Sequence, residues 1–272
     1  MSRAHAQPAA PRSGRAWRLR ARGTFVAVAV LGSAGAVGVP GAGPAGSRAV
    51  TASAEAGKVG AVMQASFSPN RAGARSVLTY TLGFTGAGGA LPPPIRTAAV
   101  LIPAGLTGTV DWPSTLGCSK AHLLAHGARG CPARSQIGSG SALLAWAEGA
   151  KTVQEKARLW VFMGPNDGEY QLEMLGEGLR PIHRRVVITE PLAVLSGKYS
   201  GDVEAQAPAI PTRPGLPDAS LLSLNVKVGS LRQSGMGLFV PRACPAGGYP
   251  WATELTYATG ASETITTTSP CP

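Results

Sequence analysis

The chain has 272 residues, with 25 Lys and Arg against 14 Asp and Glu, four cysteines and 6% aromatic residues. Seven of the basic residues (Arg3, Arg12, Arg15, Arg18, Arg20, Arg22 and Arg48) precede the first carboxylate, Glu55, which leaves 18 basic against 14 acidic residues, a net +4 rather than +11. So small a surplus argues against nucleic acid as a partner, which needs a broad basic face.

The first element in chain order is the segment 1–54. Its arginines are followed by the apolar run "TFVAVAVLGSAGAVGV" (24–39), then Pro40, then the small residues "TASA" (51–54). That order reads as an export signal on the general secretory route, cleaved near Ala54. The run falls short of the ~20 apolar residues that cross a bilayer, so no membrane span is expected in the mature chain. "GAGPAG" at 41–46 matches G-x-G-x-x-G but lacks the strand before and the helix after that a dinucleotide site requires.

From 55 onward the apolar period is two. "GAVMQASF" (60–67) and "SVLTYTLGF" (76–84) open the series, the second with Leu78, Tyr80, Leu82 and Phe84 on one face. "TAAVLIP" (97–103) and "SALLAWA" (141–147) follow. "ARLWVFMGPNDGEYQLEML" (157–175) predicts a hairpin turning at 164–168. "RVVIT" (185–189), "PLAVLSG" (191–197) and "SLLSLNVKVG" (220–229) are further strands, and "WATELTYATGASETITTT" (251–268) is a hairpin turning at 258–261. Alternation of this kind buries one face and wets the other, as antiparallel strands do. The best helical candidate is "SKAHLLAH" (119–126). Connectors rich in Pro and Gly, at 86–94 and 207–218, are loops, because proline cannot donate to a central ladder. Many short strands between turn signals predict an all-β fold, an antiparallel β-sandwich over 55–272 built as one domain or as two packed sub-sandwiches. "RPIHRR" (180–185) reads as a solvated strand end.

"TAAVLIPAGL" (97–106), "GCSKAHLL" (117–124) with "GCPARSQIGSGSA" (130–142), and the tail from "CPAGGYPW" (244–251) to "SPCP" (269–272) resemble a group of exported proteins from high-GC Gram-positive bacteria. The resemblance implies a secreted β-rich domain and carries over no catalytic residue.

Chemistry-bearing side chains crowd together only at 117–138. Cys118, His122, His126 and Cys131 are spaced C-x3-H-x3-H-x4-C, a set that could bind zinc through two thiolates and two imidazoles. Paired cysteines outside the cytoplasm tend to oxidise instead. The even count and the short separations predict bridges Cys118–Cys131 and Cys244–Cys271, with no metal ligand and no cofactor. Leu123 occupies the position where a zinc protease has glutamate. "IGSGSA" (137–142) lacks the first glycine of a serine-hydrolase elbow. The acidic run Asp167, Glu169, Glu173 and Glu177 has no calcium-loop spacing and reads as a solvated face. Trp146 and Trp160 read as core, whereas Trp112, Tyr249 and Trp251 are the aromatics expected at the surface, where flat rings could stack on sugars.

These readings lead to a secreted, non-catalytic structural or interaction protein of the envelope or extracellular space, its partner a cell-envelope polysaccharide or protein. A carbohydrate-binding module is the second reading and an extracellular hydrolase the third.

Overall fold

The computed structural model describes residues 59–109, 117–165, 170–210, 212–230 and 236–272. The expected export leader and Trp112 lie outside them. The described strands are β1 (Gly60–Ser68), β2 (Arg75–Thr85), β3 (Ile95–Pro103), β4 (Thr107–Thr109), β5 (Gln136–Glu148), β6 (Lys151–Met163), β7 (Gln171–Arg180), β8 (Arg185–Val194), β9 (Tyr199–Gln206), β10 (Ser220–Val228), β11 (Gly237–Phe239), β12 (Tyr249–Tyr257) and β13 (Ser262–Ser269). One helix, α1 (Lys120–His126), precedes β5.

All described strand pairs are antiparallel, and hydrogen bonds link them in the order β13-β12-β3-β9-β8-β7-β6-β5-β10-β2-β11-β4, with β1 also on β2. This sheet folds over on itself. β8 pairs with β7 over Arg185–Pro191 and with β9 over Leu192–Val194, so it forms the corner between two layers. At the far side the ends of the sheet meet, where the Ser269 hydroxyl on β13 donates to the Ala65 carbonyl on β1 over 2.6 Å. The result is the expected all-β sandwich.

Period two does the packing. Ala61, Met63, Ala65 and Phe67 of β1 are buried and the residues between them exposed. They meet β12 across the interior: the Phe67 ring lies 5.9 Å from Tyr249, edge-on, and 6.0 Å from Trp251. This corrects the expectation that Tyr249 and Trp251 face solvent. They are 0% and 1% exposed, in line with Thr253, Leu255 and Tyr257 on the inward face of β12. Tyr249 donates to the Pro241 carbonyl and Trp251 to the Ser269 hydroxyl, so their polar atoms are satisfied inside.

The terminal hairpin differs by one residue from the expected register. Thr256, not Tyr257, faces Ser262. Tyr257 accepts from the Gly260 N–H, Gly260 sits at φ 85°, and Tyr257 donates to Ala261, so a left-handed glycine adds a bulge after the turn. At the open end the chain bends as the bridge requires: Gly247 and Gly248 have φ 87° and 100°, and Gly248 donates to Pro245. Cys244 and Cys271 are bonded, with Cα atoms 5.9 Å apart.

Candidate ligand cavity

The 117–138 stretch resolves into a clasp on the outer face of the sheet. Ser119 caps α1, its hydroxyl accepting from the His122 N–H. Gly127, at φ 66°, ends the helix by donating to Leu123. Cys118 and Cys131 are disulfide-bonded, with Cα atoms 5.6 Å apart, and Leu123 is driven into a cluster with Phe162, Leu175 and Val187. Arg185 of β8 ties the loop down, pairing with Glu177 over 2.9 Å and donating to the Leu124 carbonyl over 2.8 Å. Both cysteines of the C-x3-H-x3-H-x4-C set are therefore oxidised and offer no thiolate. His122 Nε2 lies 2.7 Å from the Gly130 carbonyl, and the His122 and His126 rings lie tilted against each other with centroids 4.7 Å apart. Among the described residues no three His, Cys, Asp or Glu converge as a metal site.

The clasp also corrects the reading of the acidic run. Glu173 is 2% exposed on the face that α1 covers, accepting from the Thr189 hydroxyl at 2.9 Å. Burial raises its carboxyl pKa, which the Thr189 bond and Lys120 partly offset. Of the others, Glu177 holds Arg185, while Asp167 and Glu169 lie outside the described residues. In "IGSGSA", a Cβ on Gly140 would stand 2.1 Å from the Asn225 carbonyl of β10. That glycine permits two backbones to approach and has no part in a nucleophile turn.

The inner face holds the feature that sequence reasoning did not find. Between the layers lies a cavity of about 200 Å³. One wall comes from β5–β8 and β10, the other from β3 and β9, and Ala207, Pro208, Ala209, Ile210 and Thr212 of the connector also line it. Small residues face one another here (Ala98, Ala142, Ala157, Gly176 and Ala205), so the layers cannot interdigitate. Val100, Val186, Ile188 and Val203 point inward yet stay only half-buried, and the space is open to solvent. Protein interiors normally pack as densely as organic crystals.

Few polar groups line it. Glu155 accepts from the N–H groups of Ile182 (3.2 Å) and His183 (3.0 Å), which fixes the β7–β8 turn at the rim beside the exposed Arg184. Trp146 Nε1, fully buried in the wall, has no hydrogen-bond partner among the described residues. Glu190 of β8 is 9% exposed and lines the cavity; its oxygens, unlike Trp146 Nε1, are not closed off from solvent. Burial, and secondarily the charge of Glu173, push its carboxyl pKa up to about 8.

The one local signal for this wall lies in "VVITEPLAV". Read as a single strand it sets Val186, Ile188, Glu190 and Leu192 on one face, a glutamate in an apolar row. Reading it as two strands broken at Glu190 hides that.

Comparison with known proteins gives no match: no family model, no curated protein and no solved structure.

Proposed function

We propose that the protein is an exported, non-catalytic binding protein that holds an apolar small molecule between its two layers. The observation that carries this reading is the cavity itself, open to solvent and lined mainly by aliphatic side chains. Two disulfides fit an oxidising compartment, and the basic leader with its apolar run fits export. A sugar platform loses support, because Tyr249 and Trp251 face inward and are packed on Phe67.

The test is binding of the neutral dye N-phenyl-1-naphthylamine, whose fluorescence rises in apolar surroundings. Saturable enhancement with the full chain is expected, with loss of binding in Ala205→Trp, which fills the space from β9. No enhancement, or equal enhancement in Ala205→Trp, overturns the proposal.

A further inference from the structure

Glu190 has no structural task. The other two buried glutamates among the described residues hold something: Glu155 fixes the rim turn and Glu173 accepts from Thr189. No side-chain hydrogen bond of Glu190 is formed among the described residues, and its oxygens, unlike the fully buried Trp146 Nε1, remain accessible from the cavity it lines. Glu190 stands in the inward row Val186, Ile188, Glu190, Leu192, with its carboxyl on the cavity wall.

We infer that Glu190 is the polar anchor of this cavity, donating its carboxyl proton to a carbonyl oxygen on a single-chain apolar ligand such as an acyl ester. The inference rests on the cavity reading above and names the ligand's polar end.

The surroundings decide what that end is. The ionisable groups that act on Glu190 are Glu173 of β7 and Tyr80 of β2, both neutral or negative. The Tyr80 hydroxyl is engaged with Thr253. Among the described residues no cation is paired with Glu190, Arg184 standing at the exposed rim, so the neutral form of Glu190 dominates below about pH 8 and presents one O–H donor. A ligand carboxylate would face two acids. A ligand ammonium would require Glu190 to ionise and would itself lose its hydration on entering the apolar space. A carbonyl requires neither and accepts the one proton on offer.

The test uses the bound dye and three competitors built on one eight-carbon chain: methyl octanoate, octylamine and octane. The ester is expected to displace the dye about five- to tenfold more effectively than octane, the worth of one hydrogen bond formed away from water. Glu190→Leu should erase that preference while octane still competes, whereas Glu190→Gln, whose amide keeps a donor, should retain part of it. In the wild type the preference should shrink as pH rises through about 8 and the donor proton is lost. Equal competition by ester and octane overturns the inference and leaves the cavity reading standing, as does stronger competition by the amine. An ester preference that survives in Glu190→Leu also overturns it. Failure of the dye to bind at all removes both.

Discussion

Tyr80 Oη on β2 and Thr253 Oγ1 on β12 lie 2.5 Å apart, a buried hydrogen bond that joins the two layers directly across the interior. Thr253 also donates to Met63 Sδ on β1 over 3.0 Å, so three strands meet at one polar point in an apolar core. Desolvation raises the Tyr80 phenol well above its ordinary pKa, and the nearby Glu190 charge adds to the rise.

Tyr80→Phe should therefore destabilise the fold by about 1–2 kcal/mol, because it leaves the Thr253 hydroxyl with a weaker partner set. Thr253→Val should cost a similar amount by stranding the Tyr80 hydroxyl. The double variant should cost less than the sum, since neither partner is then left unpaired. Chemical denaturation of the three variants measures this, and strict additivity would show that the bond does not join the layers energetically.

The two disulfides should separate into distinct roles. By chain entropy each stabilises by about 3 kcal/mol, the 27-residue separation slightly more than the 13-residue one. Cys244→Ala with Cys271→Ala should lower the global unfolding midpoint. Cys118→Ala with Cys131→Ala should do so too, and should also speed amide exchange around Leu123 and in the strands beneath the clasp. Hydrogen exchange by mass spectrometry distinguishes the two; uniform protection in the Cys118/Cys131 variant contradicts the clasp.

How much of this was legible in the sequence depends on where the informative atoms lie. Period two in "GAVMQASF" and "SLLSLNVKVG" is set by contacts with a core, and β1 and β10 form where that pattern runs. β9 (YSGDVEAQ) was missed because its inward residues are Gly201, Val203 and Ala205, too small to stand out against an Ala- and Gly-rich chain. The same small residues make the cavity, so the functional feature is written as an absence of bulk. Tyr249 and Trp251 were legible and misread: counting back in twos from Tyr257 and Leu255 places both inside. The one-residue slip at the terminal hairpin arose at Gly260, where φ > 0 is a backbone choice that no apolar pattern reports.

Glu190 should make stability depend on pH in a defined direction. Its carboxyl titrates near pH 4.5 when unfolded and at about 8 when folded, so the folded state holds the extra proton between those values. The stability this contributes is complete below about pH 4.5, is lost as pH rises through about 8, and is level above that. Glu173, also raised, acts in the same direction. Glu190→Gln should thus be more stable than the wild type at pH 8–9, with the difference vanishing near pH 4. Urea midpoints of both proteins across that range measure it. A wild type that gains stability relative to Glu190→Gln as pH rises would mean that Glu190 is ionised and paired in the folded state.

Glu155 controls the rim of the cavity through the β7–β8 turn. Its two carboxylate oxygens accept from Ile182 and His183, and His183 is held at φ 58°, the only described non-glycine residue on the positive side. Neither N–H has another acceptor among the described residues, so Glu155→Ala leaves two donors stranded beside an apolar wall, a loss of about 2–4 kcal/mol. Glu155→Gln keeps one acceptor oxygen and should lose roughly half of that. Gly178 fits the same arrangement, since a Cβ there would stand 2.1 Å from Glu155 Oε1. Gly178→Ala should therefore displace the carboxylate and mimic Glu155→Ala in weaker form. Because Ile182 and Arg184 line the rim, all three variants should also release bound dye faster than the wild type. Stopped-flow dissociation reads this separately from stability. Unchanged release rates in a destabilised Glu155→Ala would show that the turn supports the fold without gating the cavity.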